Sequence, residues 1–181
     1  HGGKGLAMLQ VHQRFPQAET GRPRLNAEWL VRSCRIPVTI APNTSGSYLT
    51  LVADSESQLP VGLWVSASRP TSREVGLALY QAIWHVGDID FPIRGIPRSI
   101  NIPADMVADN SLDLQRAAAY LLTHIDIDDA PSMRGKQRVI SCLSKLQQWA
   151  GDIQDQSDMP ILPLARFIRE LLVRLRYHSF P

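Results

Sequence analysis

The stretch from Tyr48 to Pro97 limits the possible folds more than any other part of the chain. Tyr48–Ala53 is rich in strand formers and apolar on both faces, which suits a central strand covered on both sides. Asp54–Leu59 makes a turn. Val61–Ala67 follows as a second strand, with Pro60 at its first position, where a missing N–H is tolerated. Thr71-Ser72-Arg73-Glu74 is a capping box, Thr at the N-cap and Glu three residues on. Behind it Val75, Leu79, Ala82, Ile83 and Val86 recur at helical spacing as one stripe, and Gly87 supplies the stop. Periodicity alone therefore places the chain among mixed α/β domains.

The flanking residues extend the pattern. Residues 1–23 are rich in Gly, Gln and Pro and read as extended or partly disordered. Asn26 can cap a short helix, Ala27–Cys34, and Ile36–Ala41 reads as the first strand, since Pro37 rules out helix continuation. Pro42-Asn43-Thr44-Ser45-Gly46 is a turn. After the central stretch, Arg98–Ile102 is a short strand. Ser111 or Asn110 caps a helix over Leu112–His124, with Leu114, Ala118, Leu121 and Leu122 inward. His124–Ile127 is again a strand. Lys136–Ala150 is helical, with Val139, Ile140, Leu143, Leu146 and Trp149 on one side. Asp152–Met159 is a polar linker, and Pro163 opens a last helix with Leu164, Phe167, Ile168, Leu171, Leu172 and Leu175 as its stripe. The expected division is 1–34 as arm and short helix, 35–150 as core, and 151–181 as linker and amphipathic helix.

Composition narrows the function. The 181 residues are enough for one domain with a real core, and 44% hydrophobic with 20% charged is an ordinary soluble balance. No apolar run reaches the roughly 18 residues of a membrane span and no signal peptide is visible, so a cytoplasmic protein without membrane partners is expected. The opening His1-Gly2-Gly3-Lys4-Gly5 does not read as a natural start and fits a larger parent protein. Cys34 and Cys142 lack metal-ligand spacing and read as buried thiols in a reducing compartment. The histidines form no zinc pattern. The net charge of +2 hides an asymmetry: Lys4, Arg14, Arg22, Arg24, Arg32 and Arg35 outnumber Glu19 and Glu28 at one end. Arg166, Arg169, Arg174 and Arg176 outnumber Glu170 at the other. The middle is acidic, which ill suits a face that must grip a phosphate backbone.

The central residues also carry a family signal. Leu49-Thr50-Leu51-Val52-Ala53-Asp54, Val61-Gly62-Leu63-Trp64-Val65-Ser66, Gln81-Ala82-Ile83-Trp84, Gly87-Asp88 and Gly95-Ile96-Pro97 follow one another without a gap over about fifty residues. This passage resembles the core of Mu-like and retroviral-integrase-like DDE transposases, and the likeness extends over about residues 35–150. It implies a ribonuclease H-like fold, three antiparallel strands followed by αβαβα, here with a C-terminal helical extension.

The chemistry of that family needs two Asp and one Glu converging on two magnesium ions, which demand hard oxygen ligands. The resemblance places the first acid in the first strand, near Ile40, where no acid stands. It places the second at Pro103 and the third on the late helix, near Arg134-Gly135-Lys136-Gln137-Arg138, with no Asp or Glu between Ala130 and Gly151. The expectation is no catalytic residue, no metal site and no cofactor. Magnesium enters only if displaced acids, Asp54, Asp105 and Asp126, rebuild the site.

Other chemistries find little support. His85 reads as a helix-end histidine, and Ser57 and Ser66 lack the context of a hydrolase nucleophile. Trp29, Trp64, Trp84 and Trp149 read as packing residues. Three functions follow from the resemblance and the charge pattern. The first is an inactive transposase/integrase-like module of a mobile-element protein, with DNA or a protein as partner. The second is a metal-dependent strand transferase or nuclease using the displaced acids. The third is a DNA-binding protein using its basic ends, with Arg166, Arg169, Arg174 and Arg176 as contacts; the same helix could instead self-associate or dock a protein partner.

Overall fold

The structure, a computed structural model, describes residues 24–42, 46–84, 95–129, 137–156 and 162–177. Its strands are β1 (Glu28–Ile36), β2 (Ser47–Asp54), β3 (Pro60–Ser66), β4 (Ser99–Pro103) and β5 (His124–Asp128). Its helices are α1 (Ser72–Trp84), α2 (Ser111–Tyr120), α3 (Gln137–Asp155) and α4 (Leu164–Tyr177). The strands form one sheet in the order β3-β2-β1-β4-β5. β1 pairs antiparallel with β2, from Trp29 opposite Asp54 to Ile36 opposite Ser47. β2 pairs antiparallel with β3, while β4 lies parallel to both β1 and β5. This is the mixed α/β sheet of the expected ribonuclease H-like layout.

Both sheet faces are covered, which explains the double-faced apolar strands. Leu30, Leu49, Leu51, Leu63 and Val65 pack under Val139, Leu143 and Leu146 of α3 and Phe167 and Leu171 of α4. Trp29, Val31, Val52, Val61, Ile100 and Ile102 pack under Val75, Ala78, Leu79 and Ala82 of α1. The Glu74 half of the capping box forms: Thr71 donates through its N–H (3.0 Å) to Glu74 Oε2, which also accepts from the Thr71 hydroxyl at 2.6 Å. Gly62 lets α1 approach β3; a Cβ there would stand 2.7 Å from the Ala82 Cβ and 2.9 Å from the Ala78 carbonyl oxygen.

Several expectations need correction. Ala27–Cys34 is not a helix, and Ile36–Ala41 is not the first strand; β1 runs from Glu28 to Ile36, at the centre of the sheet. Trp29 and Val31 enter one core and Leu30 the other, so tertiary burial decides the conformation over local propensity. Asn26 is no N-cap: at φ 61° it turns the chain into β1, its Oδ1 accepting from Trp29 Nε1 at 3.1 Å. The helix expected to reach His124 ends at Tyr120. Leu122 adopts φ 56°, and the N–H groups of Leu121 and Thr123 return to the Ala118 carbonyl. Leu122 is consequently 92% exposed rather than inward. Ile140 is likewise exposed, on the outer side of α3. Finally, α3 continues through Asp152–Asp155, residues read as linker, because Ile153 prolongs its buried stripe. A core drawn at 35–150 would cut both β1 and α3. The Gly87 stop, the arm 1–23 and the Asn43–Ser45 part of the expected turn fall outside the described residues. No described helix is long and apolar enough to cross a membrane.

Candidate functional site

The carboxyl ends of parallel strands are where open α/β sheets present their ligands. Here β1, β4 and β5 run side by side with Leu30 opposite Asn101, and Asn101 opposite Asp126. Strand alternation carries Arg32 two residues past Leu30 on the same face, level with Pro103, which in turn pairs with Asp128. The end of the parallel β1–β4–β5 ladder, midway along β1, therefore holds Arg32, Asn101, Pro103, Asp126 and Asp128.

Arg32 is only 9% exposed. Its Nη1 donates to the Val31 carbonyl (2.6 Å) and to the Asn101 carbonyl (3.4 Å), and its Nη2 donates to Asn101 Oδ1 at 2.8 Å. Asn101 Nδ2 passes the chain on to Asp126 Oδ2 at 3.3 Å. Burial pushes the guanidinium's pKa down, while Asp128 and then Glu28 pull it back up.

The three acids proposed as a displaced metal site do not sit together. Asp54 is fully buried at the amino end of β1, opposite Trp29, and closes its own turn. It accepts from the Asn26 N–H, the Ser57 N–H and the Ser57 hydroxyl, each at 2.8 Å. Asp105 follows β4 on a short 3-10 turn and pairs at the surface with Arg69 at 2.6 Å. Asp126 belongs to the Arg32–Asn101 network. Among the described residues no three His, Cys, Asp or Glu side chains gather as metal ligands. Ile40, where the first acid was expected on the first strand, lies beyond the end of β1; continuing the Leu30–Asn101 register by two residues brings Arg32 level with Pro103.

The remaining candidates are scattered. Arg166 and Arg169 are exposed on α4, Arg174 reaches Asp152 at 3.8 Å, and the side chain of Arg176 is outside the described set. His85 is outside it too. Ser66 donates to the Ser68 carbonyl at 2.8 Å. Trp29 is core, but Trp84 is 63% exposed beside Tyr80, ring centroids 6.4 Å apart, so it is not the packing residue it resembled in sequence. Cys34 and Cys142 are free thiols, pushed by burial up to about 11 and about 12 respectively. Sequence reasoning missed Arg32. The signal was present, since Arg32 follows the Trp29-Leu30-Val31 run at the alternation of a strand.

No protein-family model matches the chain. A 55-residue segment is 33% identical to the transposase of transposon Tn552 from Staphylococcus aureus, spanning 30% of this chain and 12% of that transposase. A chain of the simian T-cell lymphotropic virus intasome, solved in complex with the PP2A regulatory subunit B56 gamma, superposes with TM-score 0.59 at 21% identity. That match covers 87% of this chain but only 53% of the other. The catalytic core domain of BIV integrase superposes with the same TM-score at 11% identity, over 86% of this chain and 87% of that domain. The fold is that of an integrase catalytic core, and the chain is transposase/integrase-like.

Proposed function

We propose that this integrase-type core is a catalytically inactive domain of a mobile-element-derived protein, serving as a protein-interaction or nucleic-acid-associated module. One observation carries the reading: the resemblance puts one Asp in the first strand and a second at Pro103, yet β1 has Arg32 level with Pro103 when the Leu30–Asn101 register is continued. Neither side chain offers a lone pair to a hard cation. The candidate replacements Asp54, Asp105 and Asp126 are engaged by a turn, an arginine and Asn101. A core that has lost every ligand of a cooperative site has no residual mechanism. The free thiols Cys34 and Cys142 support a reducing, cytoplasmic setting. The intasome structure, determined with a bound PP2A regulatory subunit, lends support to a protein partner.

The test is a supercoiled-plasmid nicking assay with Mg²⁺ or Mn²⁺. The inactive reading predicts no nicking above a protein-free control; nicking that disappears in D105A or D126N would restore the enzyme reading.

A second reading, DNA binding through the basic ends, is supported by the exposed Arg166 and Arg169 on α4. Binding that weakens steeply with salt, and whose salt slope falls in R166A/R169A, would establish it. Salt-independent or absent binding would remove it.

A further inference from the structure

The residues at the carboxyl end of the central strands disagree with the magnesium chemistry of the fold, and the disagreement is specific. A guanidinium has five N–H donors and no acceptor, and it is always charged. Asn101 Oδ1, a neutral oxygen that could otherwise serve a cation, already accepts from Arg32 Nη2. Pro103, two residue pairs further along, has no side-chain donor or acceptor. What does face this point is acidic: Asp126 joined through Asn101, Asp128 on the next same-face position of β5, and Glu28 earlier on β1. Three carboxylates around one largely buried arginine leave the cluster acidic overall, with part of its negative charge already offset from within the chain.

We infer that Arg32 is a resident cation, the built-in counter-ion of Asp128 and Glu28 and linked to Asp126 through Asn101, and that its presence keeps a divalent metal out of the end of the β1–β4 parallel ladder. The arginine is then more than a lost ligand. Removing a single acid would leave a weakened metal site; placing a fixed positive charge there opposes any second cation and uses the neighbouring oxygens. A buried charge tied into a hydrogen-bonded network is also costly to truncate, because its partners are left uncompensated. Arg32 therefore holds β1, β4 and β5 together at the point where they would otherwise diverge electrostatically. This inference deepens the inactive reading but does not stand or fall with it. Nicking traced to residues elsewhere would end that reading and leave the role of Arg32 intact.

The experiment compares wild type, R32M, R32D, D126N and the double variants R32M/D126N and R32D/D126N by thermal melting. Each is melted with and without Mn²⁺, and Mn²⁺ binding is followed by electron paramagnetic resonance of the free ion. Wild type is expected to show no saturable Mn²⁺ site in the millimolar range and no Mn²⁺-dependent melting shift. R32M should melt several degrees lower, with a smaller loss when Asp126 is already Asn. R32D, which sets a third carboxylate beside Asp126 and Asp128, should gain a Mn²⁺-dependent rise in melting temperature that R32D/D126N lacks. The inference is overturned if wild type binds Mn²⁺ and D126N abolishes it, if R32M melts with wild type, or if folded R32D takes up no Mn²⁺. Should R32D fail to fold, the wild-type, R32M and D126N measurements decide by themselves.

Discussion

Replacing Asp54 by alanine should unfold the protein early without bearing on any catalytic step. The carboxylate is completely buried and accepts three hydrogen bonds, two from backbone N–H groups and one from the Ser57 hydroxyl. Hydrogen bonds to a charged acceptor contribute about 1.5–3 kcal/mol each, and a buried donor left unpaired costs about 1–3 kcal/mol. The Ser57 hydroxyl can rotate to a new partner, whereas the Asn26 and Ser57 N–H groups cannot. The two orphaned donors together set a loss of about 3 kcal/mol, toward the upper range for a single substitution. For a chain of this size that corresponds to a fall in melting temperature of roughly 6–12 °C. Urea denaturation followed by tryptophan fluorescence measures it, since Trp29 is buried at the same strand end. D105A is the natural control: its pair with Arg69 is exposed on both sides and contributes about 1 kcal/mol or less. A D54A protein as stable as wild type, or one equally stable that has lost a metal-dependent activity, would refute the assignment of Asp54 to its turn.

Other outcomes follow from particular contacts. G62A should cost about 1–3 kcal/mol by forcing α1 away from β3, read as a lower urea midpoint. T71A should cost about 1 kcal/mol by removing the hydroxyl's hydrogen bond to the Glu74 carboxylate, read in the same assay. Asp109 accepts from the Ser72 N–H and hydroxyl at the start of α1, which holds its carboxyl below the usual value of 3.8. A depressed folded pKa means stability that is present above the unfolded pKa and lost as the pH falls through the folded one. D109A should therefore narrow the stability gap between pH 5 and pH 2–3 in acid titrations followed by circular dichroism. Cys34 and Cys142, pushed up to about 11 and about 12, should resist a disulfide-exchange reagent at pH 8 in the native state and react fully in urea. Rapid native labelling would mean that neither thiol is as buried as its packing indicates.

The legible parts of the fold were those where local and tertiary signals agree. β2, β3 and α1 follow from the double-faced apolar run, Pro60 at a strand start and the Thr71/Glu74 box, each of which acts through near neighbours. β1 was misread because a capping-type residue, Asn26, precedes a short apolar run that could be either helix or strand, and only its position between β2 and β4 decides. That one error carried into the site. With the first strand set at Ile36–Ala41, the first-acid position fell at Ile40, and Arg32 was counted among the charges of a basic arm. The absence of an acid at Pro103 follows from the resemblance, whose Gly95-Ile96-Pro97 match sets the distance to the expected second acid. The end of α2 was missed because a leucine, not a glycine, takes the left-handed conformation that terminates it.

The most direct test of the proposal that this core holds no catalytic metal is a crystal grown with Mn²⁺ and measured for anomalous scattering at the end of the β1–β4 parallel ladder. The account predicts density for the Arg32 guanidinium beside Asn101 and no anomalous peak among Arg32, Asp126 and Asp128. A manganese peak held by Asp126, with Arg32 swung aside, would contradict it.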